Sequence, residues 1–286
     1  MNYFVFSKGK RVTDFLLLKN FETEGVGIFE SLRTYQGQVF HLGDHLRRFV
    51  ESAKTAGLPL PVSLQDLSGE LQLALTTFYQ KEKQSRKRED VFIRLTLWRD
   101  KVFVLIGKRN HPQSIYKEGV CLRTSPVKRS HSNASAPEVK TTAYQNAVLA
   151  SLEPSEEKIY EWVFLNPNGF VTEVRIGNFF IVKEGELLTP PTVGILNGVT
   201  RRFVIDCARE LRIPVQETPL TRHDIFNAEE AFLTNTSWEI LPVCELDGRR
   251  IGGRIPGPVS LKLQRTFKQK VSSECLKKQK AQFAAL

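Results

Sequence analysis

Apolar residues recur along the first part of the chain with two different spacings. Over residues 27–35 (GIFESLRTY) they alternate with polar ones, the period of a strand with one face on a core, and Gln36-Gly37-Gln38 supplies a turn before Val39 and Phe40 resume. Residues 45–56 then shift to helical spacing, so the pattern predicts a hairpin feeding a helix. A second helix is expected to start near Ser63, whose hydroxyl can cap it with Asp66 three residues on, with Leu64, Leu67, Leu71, Leu75 and Phe78 as its core stripe. Two β-rich runs, residues 90–98 and 102–106, follow across the turn Arg99-Asp100-Lys101.

The second part mixes the same two periods. A helix is predicted over residues 142–152, then a strand over 160–165, a Pro167-Asn168-Gly169 turn and a strand reaching Glu173. Residues 179–182 and 187–188 form a hairpin about Glu184-Gly185, and Gly198-Val199-Thr200 opens a helix with Phe203, Val204, Cys207, Ala208 and Leu211 inward. One more strand, residues 231–234, leads into Asn235-Thr236-Ser237. The order is that of an α+β protein. His111-Pro112-Gln113-Ser114 is a plausible boundary, giving a small N-terminal domain over 1–117 and a larger one over 118–286, with a Ser/Ala/Pro-rich loop at 130–137 just before Lys140.

Composition narrows the partners. An apolar content of 41% is that of an ordinary soluble protein; no apolar run nears the length of a membrane span and Met1-Asn2-Tyr3-Phe4 opens no leader pattern, so a cytoplasmic location and no membrane partner are expected. Cys121, Cys207, Cys244 and Cys275 form no CxxC pair and the five histidines are dispersed, which points to reduced thiols and no metal. The net charge of +10 could attract nucleic acid, membrane or acidic small molecules. Its two clusters, residues 81–88 (KEKQSRKR) and 262–280, read as solvated helix ends with too few aromatics to stack bases, so no nucleic-acid partner is expected.

Three places can carry chemistry. Gly198-Val199-Thr200 at a helix start offers free N–H groups and a positive dipole end to a phosphate, or is a turn glycine with a threonine cap. Asn235-Thr236-Ser237 presents hydroxyls and backbone donors to a polar ligand, or is a capped turn. Lys140 sits between a loop and an apolar helix, where burial would favour the neutral amine that imine formation needs; a lone lysine is otherwise solvated.

Taken together, GIFESLRTYQGQVFHLGDHLRRF, VKTTAYQNAVLA, NPNGFVTEVRIGNFFIV, LLTPPTVGILNGVTRRFVI, AEEAFLTNTSWEILPV and the closing GRRIGGRIPGP, in that order, resemble the class IV aminotransferase family, which includes branched-chain and D-amino-acid transaminases and aminodeoxychorismate lyase. The resemblance implies a two-domain, fold type IV enzyme whose larger C-terminal domain is β-barrel-like with helices, a pyridoxal 5'-phosphate cofactor and a homodimer. It makes Lys140 the Schiff-base lysine and proton shuttle and Glu173 the acid against the pyridine nitrogen. Arg48, the backbone of Val199 and Thr200, and Thr236 become the phosphate cradle. Phe29 matches a pocket wall and Glu30 a structural acid, whereas Arg33, Arg94, Tyr144 and Ser237 border the substrate. Arg175 departs from the pattern, standing where a small residue is usual: it can recognise a substrate carboxylate, oppose ring-nitrogen protonation, or point away. Thr141-Thr142-Ala143 also departs from the Gly-rich run of branched-chain transaminases. The function implied is transfer of an amino group between an amino acid and a 2-oxo acid. The alternatives are aminodeoxychorismate lyase, releasing 4-aminobenzoate and pyruvate, and a non-catalytic basic binding module on the same fold.

Overall fold

The structure, a computed structural model, describes residues 3–8, 10–12, 27–81, 89–129, 137–143, 145–153 and 158–284. The basic run 82–88, Tyr144 and most of the loop before Lys140 lie outside the described residues, as do the side chains beyond Cys275. The chain divides into two compact units. One comprises Met1–Asn110, Val139–Ala143 and Lys270–Leu286; the other comprises His111–Glu138 and Tyr144–Gln269. This differs from a single cut at 117/118, because five residues around Lys140 and the C-terminal segment are counted with the first unit.

The first unit is built on an antiparallel sheet of β1 (Tyr3–Ser7), β2 (Lys10–Arg11), β3 (Ile28–Tyr35), β4 (Gln38–Val39), β5 (Phe92–Trp98) and β6 (Lys101–Gly107), in the order β2-β1-β6-β5-β3-β4. Alternation along β3 decides which way each side chain faces. Ile28, Leu32 and Thr34 are buried, and Ser31, Arg33 and Tyr35 between and beyond them are half-buried. Helices α1 (Leu42–Thr55) and α2 (Leu64–Lys81) cover the sheet, packing Leu46, Phe49, Leu67, Leu71, Leu75 and Phe78 into one core with Leu32, Ile93 and Leu95. Ser63 does cap α2: its Oγ accepts from Asp66 N at 3.2 Å while the Asp66 carboxylate accepts from Ser63 N at 3.2 Å. Leu64, expected in the stripe, is exposed at the helix start.

The second unit contains α3 (Ser114–Glu118), β7 (Val120–Thr124), α4 (Gln145–Leu152), β8 (Ile159–Leu165), β9 (Val171–Val174), β10 (Asn178–Lys183), β11 (Glu186–Thr189), α5 (Val199–Glu210), β12 (Val215–Glu217), α6 (Arg222–Phe226), β13 (Glu230–Asn235), β14 (Glu239–Leu246), β15 (Arg249–Arg250) and the start of α7 (Pro258–Ala284). Its nine-stranded sheet runs β12-β11-β10-β13-β14-β7-β8-β9, with β15 paired to β14, and mixes parallel with antiparallel pairs. The helix expected from Thr142 begins at Gln145. The C-terminal basic segment lies on one long helix: Lys262, Arg265 and Lys268 are exposed, as expected of a solvated face, while Leu263, Phe267, Val271 and Cys275 form a buried stripe at helical spacing. Its first turn is held by the buried Glu230, whose carboxylate accepts from Val259 N and Ser260 N at 2.8 Å each and from Ser260 Oγ at 2.6 Å. Among the described residues no helix is long and apolar enough to cross a membrane.

Candidate active site

Lys140 is fixed to the first unit by its backbone. Its carbonyl accepts from Phe29 N at 2.9 Å, Thr142 N donates to Gly27 O at 2.8 Å, and the Thr142 hydroxyl accepts from Gly27 N at 2.8 Å. Thr141 bridges Ile28, so residues 139–143 act as a short extra strand against the start of β3, with Ser52 Oγ of α1 accepting from Lys140 N at 3.3 Å. Gly27 also lies close against β5, where a Cβ would stand 2.6 Å from Leu97 O. The Lys140 ammonium stands 4.6 Å from the Phe29 ring centroid and the Arg94 guanidinium 3.9 Å from the same ring. Arg33 is 5.0 Å from the Tyr35 ring.

Glu30 faces α1 and is fully buried. Its Oε1 accepts from Arg48 Nε at 2.6 Å, and its Oε2 from Arg48 Nη2 at 2.8 Å and pairs with His45 Nδ1 at 2.8 Å. Burial alone would push this carboxyl up; the Arg48 charge and the His45 and Arg48 hydrogen bonds outweigh it and hold it far below the usual carboxylate range. Burial depresses His45 in turn, against the opposing pull of Glu30. Arg48 therefore commits two of its three nitrogens to Glu30.

In the second unit, Glu173 is buried on β9. Its Oε1 accepts from Arg129 Nη2 and its Oε2 from Leu196 N at 3.3 Å, an arrangement that fixes the orientation of the carboxyl group. Arg175, two residues on, points to Glu161 and Ser151: Nε and Nη2 reach the Glu161 carboxylate at 2.9 and 3.3 Å, and Nη1 donates to Ser151 Oγ. Glu161 is 1% exposed and burial raises its carboxyl, with Arg175 opposing.

Helix α5 starts at Val199 with Gly198 as cap residue, no side-chain cap and no acidic residue in its first turn. The N–H groups of that turn have no partner within the helix, which is what an anion needs. Asn178 braces the approach by donating Nδ2 to Leu196 O at 2.8 Å, and a Cβ on residue 198 would meet Asn178 Oδ1 at 2.2 Å. Val199 and Thr200 are buried. At the β13–β14 turn, Asn235 Oδ1 accepts from Ser237 N at 2.8 Å and Trp238 N at 2.6 Å, and Nδ2 donates to Ile176 O at 2.9 Å, so Thr236 and Ser237 sit in a side-chain-shaped turn. His111 Nε2 and Ser237 Oγ are 2.8 Å apart.

The first unit thus brings Lys140, Phe29 and Arg94 together and sets Arg48 against Glu30. The second gathers Glu173, the α5 start and the Asn235 turn. Sequence reasoning missed Arg129, Ser52, Glu161 and, as a partner of Ser237, His111. None stands at a periodic or motif spacing from the residue it supports; Arg129 is 44 residues from Glu173.

Residues 27–246 match the family described as Amino-transferase class IV. The chain belongs to the class IV aminotransferases. The branched-chain-amino-acid aminotransferase of Pseudomonas aeruginosa is 30% identical over 267 residues, covering 87% of this chain and 85% of that one. The D-alanine aminotransferase of Bacillus licheniformis is 27% identical over 272 residues, covering 88% and 90%. The T.th. branched-chain amino acid aminotransferase, solved with pyridoxamine 5'-phosphate, superposes with a TM-score of 0.83 at 26% identity, covering 94% of each chain. This class IV aminotransferase is a pyridoxal-phosphate-dependent transaminase acting on amino acids, with the α+β, fold type IV architecture. Neither the lyase nor the non-catalytic module is favoured by these relatives. The residues present suit the cofactor: an uncapped, acid-free helix start fits its phosphate, and a buried carboxylate held by an arginine fits the ring nitrogen.

Proposed function

We propose that Lys140 carries the cofactor and moves the proton between the substrate Cα and cofactor C4', and that Glu173 pairs with the ring nitrogen. When bound, pyridoxal phosphate supplies an electron sink for the carbanion at Cα. Lys140 suits its part because its backbone is tied at both flanks while four side-chain carbons give the amine room to swing. Glu173 suits its part because Arg129 and Leu196 N hold its carboxyl group in place. The phosphate is held by the N–H groups of Val199 and Thr200 and by Thr236, with Arg48 adding its charge while Nε and Nη2 stay on Glu30. Phe29, Arg33, Arg94 and Ser237 line the substrate side. Arg175 serves the Glu161 pair and not the substrate.

The substrates proposed are a branched-chain L-amino acid as donor and a 2-oxo acid as acceptor, because most of the named relatives are branched-chain aminotransferases, although one is a D-alanine aminotransferase. We further propose a homodimer in the cytoplasm. The observation that carries the reading is the tethering of Lys140 between Phe29 and Ser52 in a chain that matches the family over residues 27–246. The test is a donor panel of both enantiomers added to the coloured holoenzyme. Loss of its visible absorbance with L-leucine, L-isoleucine or L-valine, and its return with 2-oxoglutarate, is expected. A response confined to D-amino acids would overturn the donor assignment, and no response to any amino acid would overturn the whole reading.

A further inference from the structure

β7 and β14 run parallel and adjacent, with Val120 opposite Val243 and Cys121 opposite Glu245. Two steps along β14 therefore answer one along β7, and Cys244 is the extra residue of a bulge. A bulge releases its extra residue from the ladder and re-aims its side chain. Here it brings Cys244 Sγ to 3.6 Å from Cys121 Sγ.

The surroundings hold the two strands in this register. Ile251 N donates to Cys244 O at 2.9 Å and Asp247 N to Leu122 O at 3.0 Å, and the Asp247 carboxylate accepts from Thr124 N and Oγ1 at 2.6 Å each. Gly119, just before β7, leaves the room: a Cβ there would come within 3.1 Å of Cys244 Cβ. Both cysteines are half-buried, whereas Cys207 and Cys275 are buried. Adjacent strands lie about 4.8 Å apart, within the range of Cα separations that disulfides span, and the two sulfurs are already in contact, so a bond between neighbouring strands is geometrically reasonable here.

We propose that Cys121 and Cys244 form a reversible thiol–disulfide site, oxidised by small peroxides and reset by dithiols. The Cys121 thiol gives up its proton and the thiolate attacks one oxygen of hydrogen peroxide; the O–O bond breaks, leaving a sulfenic acid and a hydroxide, which takes the released proton to become one water. The Cys244 sulfur then attacks the Cys121 sulfur; the S–S bond forms, and the departing hydroxide takes the Cys244 thiol proton as a second water. Two electrons pass from the sulfur pair to the peroxide. Burial and the neighbouring Cys121 push the Cys244 thiol up to about 12, which assigns the first attack to Cys121 and leaves Cys244 to resolve it.

The reduced, desalted holoenzyme is titrated with hydrogen peroxide, thiols are counted after denaturation, and a non-reducing tryptic digest is weighed. The chain's four thiols should fall to two, with the peptides of residues 118–123 and 223–249 joined, and dithiothreitol should restore all four. Cys121→Ser and Cys244→Ser should each abolish the joined peptide while keeping turnover, which reports that they fold. Thiols that stay at four under peroxide that oxidises free dithiothreitol would overturn the proposal. So would a loss explained by sulfinic or sulfonic acid, or by links between chains.

Discussion

Arg48 grips Glu30 at two points, Nε on Oε1 at 2.6 Å and Nη2 on Oε2 at 2.8 Å, beneath the sheet of the first unit. Removing one member of such a buried pair strands the other's charge. Glu30→Gln should cost about 3–5 kcal/mol of stability, read as a fall in the denaturant midpoint, and Glu30→Gln with Arg48→Met should cost less than the single change. The pair and His45 also set an acid limit. Both titrating groups lie below their ordinary values, 4.5 for Glu30 and 6.5 for His45, so folding favours their deprotonated forms. Their contribution is fully present above those values and is lost as pH falls, His45 first. Melting temperature should hold from pH 8 to about 6.5 and then decline; a flat profile down to pH 5 would contradict this.

Glu161 behaves in the opposite sense. Its carboxyl is raised by burial and moderated by Arg175, so Arg175→Met leaves a buried carboxylate with its main cation gone. The expected loss is about 3 kcal/mol at pH 8, the low end for a buried pair because Arg175 is partly exposed, and smaller at pH 5, where the carboxyl takes up a proton. Turnover per folded molecule should be unchanged. A large rise in substrate KM at constant stability would return Arg175 to the substrate pocket.

Lys140→Ala should abolish the visible absorbance of bound cofactor and lower turnover at least about 10²–10⁴-fold, the share of a general acid–base residue. Glu173→Gln should keep the cofactor and slow the first half-reaction about tenfold to hundredfold, the 1.5–3 kcal/mol of a hydrogen bond to a charged group. Stopped-flow absorbance separates the two effects.

Gly198→Ala places a methyl 2.2 Å from Asn178 Oδ1 at the start of α5. It should cost about 1–3 kcal/mol and weaken cofactor binding, measured by spectral titration. Gly43→Ala, where nothing lies within 4 Å of the added Cβ, is the control and should be neutral or stabilising.

What was legible in the sequence was local. Alternation marked β3, a β-rich run marked β5, and Ser63 with Asp66 marked the start of α2, because those signals span few residues. β14 escaped: Pro242 reads against a central strand, and only the bulge beside it and the partners on either side make the strand possible. Thr142 looked helical by spacing, yet its N–H and hydroxyl are both taken by Gly27 across 115 residues, a contact that periodicity cannot express. The chemistry divides the same way. Lys140 stood out as one candidate by its position between a loop and an apolar helix, but its role, and Glu173 altogether, were visible only through the family resemblance. Arg129, which holds Glu173, and Ser52, which holds Lys140, depend on the fold itself.

The return of residues 139–143 to the edge of β3 has a consequence for how the protein is made. As the chain emerges from the ribosome, the helices and sheet of the first unit can collapse, but the start of β3 must wait for a strip synthesised more than a hundred residues later. The lysine on that strip thus arrives in an already built scaffold, and cutting the gene at residue 117 would yield an N-terminal fragment missing its final edge.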